Sequence, residues 1–147
     1  MKTLNFSISI DAPRAAVWEA MLSPETYKIW AEYFAKGSYY EGSWEKGARI
    51  RFLIPDGSGM IAEIAECLPH SYTSIKHLGW ISNGVEDTES EEVRFWAPAY
   101  ENYTLSEAGT STELSIAVDI LPEFEEYMIA SWPRALARLK SLCEEGK

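Results

Sequence analysis

Apolar and polar residues alternate along most of this chain, and the period lengthens mainly near its two ends. Leu4, Phe6, Ile8 and Ile10 are separated by Asn5, Ser7 and Ser9, which predicts a half-buried strand with one wet face. Asp11 then reads as a helix cap with Pro13 in the first turn, where a missing N–H costs nothing. Ala16, Val17, Ala20 and Met21 form the buried side of that short helix. Ser23-Pro24-Glu25 is a second cap, and residues 27–30 predict a second short helix.

From residue 38 the pattern is one of hairpins. Residues 38–41 predict a short strand, Gly42 to Gly47 turns, and Ile50, Phe52 and Ile54 alternate with Arg49, Arg51 and Leu53. Asp56-Gly57-Ser58-Gly59 is a tight-turn signal. Strands follow at 60–68, ended by Pro69, and at 72–80. Thr88 with Glu91 three residues on reads as a capping box behind Glu86 and Asp87, predicting a short helix or ordered loop that ends near Ala97-Pro98. Residues 101–106 and 113–120 form a hairpin across Ala108-Gly109-Thr110.

The period then becomes helical. Residues 122–143 place Phe124, Tyr127, Met128, Ser131, Trp132, Leu136 and Leu139 on one face. Pro133 sits in the middle of this stretch, so the axis is expected to bend or break near Ser131, or to restart with Ser131 as a new cap. Short hairpin connections demand an antiparallel sheet, and the last helix is the only long element able to cover its greasy face. A helix whose first half carries Tyr, Met and Trp, closing over a sheet, is a way to make a cavity.

Composition narrows the function classes. The 147 residues predict a single domain, 1–147, and 46% hydrophobic content argues against disorder. A net charge of −10 argues against nucleic acid, which demands a basic footprint, and against anionic membrane surfaces. No stretch is long and apolar enough to span a bilayer, so no membrane insertion is expected. The start of the chain shows no apolar targeting segment, and Cys67 and Cys143 form no motif; a cytoplasmic protein is expected. Six Trp and eight Tyr supply large apolar area with polar tips, as binding cavities need.

Several segments, in this order, resemble the START-like or SRPBCC superfamily. They are Ile10-Asp11-Ala12-Pro13 with Val17-Trp18-Glu19-Ala20, Ser23-Pro24-Glu25 before Trp30, Gly42 through Gly47 before Arg49-Ile50-Arg51-Phe52, and Trp132 through Leu139. The run from Gly84 to Glu91 and that from Trp96 to Thr104 are similar to the single-domain bacterial form of the subfamily named for the activator of heat-shock protein 90 ATPase. The resemblance covers essentially the whole chain. It implies an α+β helix-grip fold, with a curved antiparallel sheet of roughly six to seven strands around the long C-terminal helix and two short helices after the first strand. It also implies a cavity between sheet and helix, but no single activity; members include lipid carriers, hormone receptors and aromatase/cyclases.

Candidate chemistry is sparse. Two histidines and two cysteines, spread as they are, offer no metal site, and no cofactor is expected. The acidic run 86–92 lacks the pattern of a calcium loop and reads as a solvated face. Gly57-Ser58-Gly59 joins two strands and is no nucleophile elbow. The glycines from Gly37 to Gly47 make no phosphate loop. His70 follows Pro69 in a turn and is expected at the surface; Glu63 is expected to face outward. His77 shares a strand spacing with Thr73 and Ile75 and is the one catalytic candidate, as a pocket hydrogen bonder or general base; a satisfied structural histidine is the favoured alternative.

The aromatics carry more weight. Trp30, Phe34, Phe52, Trp96, Tyr103, Tyr127 and Trp132, joined by Ile75, His77, Met128 and Ser131, make the predicted cavity set, with ordinary core as the competing reading. Entry is expected beside 30–34 and 84–96. The leading expectation is a binding protein for a small hydrophobic or amphipathic molecule. A cyclase- or hydrolase-type enzyme using the same cavity stands second; it requires His77 in reach of a carboxylate or tyrosine. A co-chaperone acting through an acidic surface on a heat-shock protein 90 ATPase stands third.

Overall fold

The computed structural model describes residues 1–145. Strand β1 (Lys2–Ile10) leads into helices α1 (Arg14–Leu22) and α2 (Pro24–Trp30), the latter running into a 3-10 turn at Ala31–Tyr33. Strands β2 (Tyr39–Gly42), β3 (Arg49–Leu53), β4 (Gly59–Leu68) and β5 (Tyr72–Ser82) follow. After a short β6 (Val85–Asp87) and helix α3 (Glu91–Trp96) come β7 (Ala99–Ala108), β8 (Ser111–Ile120) and the long α4 (Glu125–Glu144). All strand pairs are antiparallel, in the order β1-β8-β7-β5-β4-β3-β2, with β6 paired to β5 outside that path. This is the helix-grip α+β architecture, and β6 raises the strand number to eight.

The alternation read from the sequence sets which faces meet. Along β8, Thr112, Leu114, Ile116, Val118 and Ile120 are buried, while the residues between them are half-buried or exposed. Their opposite face is wet, as expected where one side of an antiparallel sheet packs on a core. The helix α4 packs against β1, α1 and α2. It adds Trp132, Ala135, Leu136 and Leu139 to a main core that also holds Ile10, Met21, Ile64, Ile75 and Leu114.

Local details differ from expectation at five places. Pro13, not Asp11, holds the cap position of α1; the chain first turns through an Ala12 N–H donated to the Ile10 carbonyl. The Asp11 N–H is donated to Glu144 at 2.8 Å, which ties this corner to the end of α4. The cap of α3 is Ser90, whose Oγ accepts the Val93 N–H at 3.2 Å. Thr88 is too early, because the Asp87 carboxylate first closes a turn by accepting the Glu89 and Ser90 N–H groups. Those bonds, Ser90's foremost, hold the Asp87 carboxyl below its ordinary value.

In β3 the alternation holds, with Ile50 and Phe52 toward the main core and Leu53 on the other side, where it is buried with Ile61 and Ile81. Ile54 lies past the end of the strand. The last helix starts at Glu125 after a 3-10 turn, Pro122–Phe124. It runs unbroken through Pro133, so there is no restart at Ser131. The proline removes one backbone donor, and burial of Ser131, Trp132, Ala135 and Leu136 on either side keeps the element in one piece.

Candidate functional site

Two chambers lie between the sheet and the first half of α4. The inner one, about 210 Å³ and partly open, is lined by α1, α2 and the turn after α2, by β3, β4, β5, β7 and β8, and by α4. The second, about 380 Å³, opens beside α3 and the start of α4. Met60, His77, Glu101, Val118 and Met128 belong to the walls of both, so the chambers adjoin along a seam that holds His77 and Glu101.

Most of the predicted cavity residues fall here, divided between the chambers. Trp30, Phe34 and Phe52 line the inner chamber from one side, and Ile75, Tyr103 and Trp132 from the other. Trp132 is the hub: its ring lies 4.7 Å from Phe34, 6.5 Å from Trp30, 6.1 Å from Tyr103 and 5.8 Å from Phe6. Trp96 lines only the second chamber, packed 4.7 Å from Trp80 in a separate small cluster. Tyr127 sits at that chamber's rim with Met1 and Phe124, and all three are exposed. Ser131 is buried but lines neither chamber. Met128 and Trp132, four residues apart, share a helix face, and one helical step turns Ser131 away from it.

His77 shares the inward face of Thr73 and Ile75 and sits just before an irregularity in β5. A register shift against β4 at Ile61/Ala62 leaves Leu78 as an extra residue, so that His77 pairs with Ala62 and Gly79 with Ile61. Bulges of this kind re-aim side chains beside sites. The cross-strand neighbours of His77 are Ala62 and Ala99, whose small side chains leave room for the ring. The residue is buried, and its Nε2 lies 3.1 Å from Glu101 Oε1. Tyr103 donates its hydroxyl to the other oxygen, Glu101 Oε2. An ionised carboxylate only accepts, so it fixes the histidine tautomer: Nε2 carries the proton and Nδ1 is left bare in the neutral ring.

Sequence reasoning missed Glu101, although the signal was present. Glu101, Tyr103 and Leu105 alternate on one face of β7, so an inward Tyr103 carries Glu101 inward with it. Tyr27, three residues before Trp30 on α2, was missed as well; its ring lies 5.4 Å from Trp30, 5.1 Å from Tyr40 and 6.2 Å from Phe52. Burial, and then the Glu101 charge, push the Tyr27 and Tyr103 hydroxyls well above their ordinary range, so both stay neutral. Burial also raises Tyr40, partly offset by the nearby Trp44 indole. Glu63 lies between Ala62 and Ile64 but lines neither chamber, and in the sheet it is paired with Arg49 and Lys76. His70 is exposed in its turn.

Four polar atoms at these walls are buried with no hydrogen-bond partner: His77 Nδ1, Trp44 Nε1, Trp132 Nε1 and Trp96 Nε1. By contrast, Trp30 donates its indole N–H to the Met21 carbonyl at 3.2 Å. Leaving such a group unpaired costs about 1–3 kcal/mol. Among the described residues no group of three or more His, Cys, Asp or Glu could hold a metal ion, and no helix is long and apolar enough to cross a membrane.

This sheet-and-helix geometry agrees with a sequence match: residues 11–144 fit the model of the activator of Hsp90 ATPase homolog 1-like proteins. The chain belongs to that family. Solved structures with the same fold include protein MLL2253 from Mesorhizobium loti, 16% identical, with a TM-score of 0.75 over 99% of both chains. The solution structure of the Aha1 dimer from Colwellia psychrerythraea is 18% identical, with a TM-score of 0.72 over 100% of this chain and 99% of that one. DynU16, from the dynemicin biosynthetic locus, is 19% identical with a TM-score of 0.73; this family member aligns over its whole length but spans only 49% of DynU16. No curated protein matches the chain.

Proposed function

We propose that this protein binds a small amphipathic molecule in the two adjoining chambers, with apolar bulk against the Phe34, Phe52 and Trp132 rings and polar atoms at the seam. The observation that carries this reading is the set of unpartnered polar atoms. A core packed for stability alone hydrogen-bonds its buried nitrogens. Here the orphans gather at the chamber walls: one nitrogen that accepts, His77 Nδ1, and indole N–H groups that donate, Trp44, Trp132 and Trp96. A ligand with a hydroxyl for the histidine and an acceptor oxygen for an indole satisfies both kinds. Mostly apolar walls with a few converging polar groups are the usual makeup of small-molecule sites.

The test is native mass spectrometry of the purified protein, joined to thermal unfolding with a panel of bicyclic phenols, aromatic ketones and fatty acids. A bound species, or a stabilisation that reaches about 2.7 kcal/mol at a ligand concentration of 100 Kd, is the expected result. No co-purifying molecule and no shift with any member of the panel would refute it. A second, enzymatic reading is favoured by one observation, the His77–Glu101 contact at the chamber wall.

A further inference from the structure

We propose that His77 is a general base, acting through Nδ1 on an acidic α-C–H bond of a small aromatic ketone held in the inner chamber. The inference rests on the binding reading above and adds a reaction class to it.

The parts of the arrangement converge on proton transfer at carbon. Glu101 Oε1, at 3.1 Å, occupies Nε2 and leaves Nδ1 as the ring nitrogen free to meet a ligand. The same carboxylate is held on its far side by the Tyr103 hydroxyl, so its orientation is fixed from β7 while His77 is fixed from β5. A base steadied by a third group is the logic of activated dyads and triads. The ring also lies 5.8 Å from that of Phe52, on a wall that is otherwise mostly aromatic and aliphatic. In such surroundings the imidazolium formed by proton uptake gains most from an adjacent carboxylate. A histidine that only braced the sheet would not need to leave a buried nitrogen without a partner.

The step balances without a redox partner or cofactor. The α-C–H bond breaks and its proton passes to Nδ1. The electron pair becomes the C=C bond of the enolate, and the carbonyl π pair moves onto oxygen. The Trp132 and Trp44 N–H groups, unpartnered in the same chamber, are the donors available to that oxygen. The imidazolium exchanges its proton with water and returns one to carbon or oxygen. In D2O the ketone therefore gains deuterium at the α position and nothing else changes. His77 is the catalytic residue; Glu101 is a positioning residue that acts through it.

The probe is 2-tetralone, a bicyclic ketone. Its binding is read by tryptophan fluorescence and its α-deuteration in D2O by proton NMR. The wild-type chain is expected to bind it and to accelerate exchange over the buffer rate. His77→Gln should lower the accelerated rate, compared at saturating 2-tetralone, by roughly 10²–10⁴-fold, with binding weakened but still measurable. Glu101→Gln, which keeps a hydrogen-bonding side chain but removes the charge, should lower the rate by roughly tenfold or more, again with binding retained. His70→Asn, at an exposed site, should exchange at the wild-type rate and so excludes adventitious imidazole catalysis. Because retained binding certifies a folded chamber, either variant alone keeps the test decisive. Binding without acceleration in the wild-type chain, or equal rates in wild type and folded His77 and Glu101 variants, would overturn the base and leave the binding reading standing. No binding of 2-tetralone would overturn the ketone proposal, whereas failure of the binding reading requires that no member of the wider panel bind.

Discussion

Replacing Tyr103 by Phe removes one oxygen atom from the inner chamber, and the cost should change sign with pH. At neutral pH the Tyr103 hydroxyl donates to the Glu101 carboxylate. A hydrogen bond to a charged group contributes about 1.5–3 kcal/mol, so Tyr103→Phe should be less stable by that amount at pH 8. Burial, the Glu101 charge and the hydrogen bond to it all raise the Tyr103 pKa well above its ordinary 10.0. Above pH 10 the unfolded chain has lost this proton and the native chain has kept it. The native state then binds more protons, and stability falls as pH rises, by about 1.4 kcal/mol per pH unit for this one group. The Phe variant has no such loss. The two stability curves should therefore converge above pH 10 and cross between about pH 11 and pH 12. Raised pKa values at Cys67, Cys143 and Tyr27 lower both curves alike and cancel in the difference. Urea unfolding of both proteins, from pH 8 to pH 11.5, measures this directly. A stability gap that stays constant across that range, or no gap at pH 8, would refute the placement of a neutral hydroxyl against a half-buried carboxylate.

Three further substitutions probe the frame around the site. Ser90→Ala removes the side-chain cap of α3 and should cost about 0.5–2 kcal/mol, read as a lower urea midpoint; an unchanged midpoint would show that the cap contributes nothing. Gly79→Ala would place a Cβ 1.9 Å from the Asp87 carbonyl oxygen, which cannot stay where it is. That change should cost at least about 2 kcal/mol and raise amide exchange in β6, and a neutral effect would contradict the pairing of β5 with β6. Trp132→Ala should cost about 3–5 kcal/mol in thermal or urea unfolding and abolish binding of bicyclic ligands; a small loss would mean that the ring is not the hub of the chamber.

The elements that two- and 3.6-residue periods describe were legible in the sequence. The alternations of β1 and β8, the two short helices and the apolar stripe of α4 all follow from one residue's spacing to the next. Features that depend on contacts across the sheet were not. The extra residue at Leu78 in β5 leaves no local mark, yet it brings Trp80, rather than Gly79, to the side that His77 faces. Leu53 is buried on the face it shares with Arg49 and Arg51 because Ile61 and Ile81 supply apolar partners there, which no window around β3 contains. Ser90 displaced Thr88 as a cap because Asp87 closed a turn in between. Pro133 predicted an interruption, but the buried face on both sides of it outweighs one missing backbone bond.

Within the site, the aromatic residues were found by type and the polar ones were not found as a set. His77 was singled out by its spacing from Ile75, whereas its partner Glu101 lies 24 positions further on. Only the pairing of β5 with β7, His77 against Ala99 and Ile75 against Glu101, brings them together. Ser131 was included because a stripe drawn over seven residues is wider than the face that meets the chamber.

The central claim is that a ligand's polar atoms meet His77 and Trp132 at the chamber wall. Two-dimensional NMR of the 15N-labelled protein, following the indole N–H and imidazole nitrogens while 2-naphthol is added, tests it most directly. The account predicts saturable shifts at Trp132 Nε1–H and at the His77 ring, with the exposed His70 ring unmoved. Shifts confined to exposed residues, or none at saturating 2-naphthol, would contradict it.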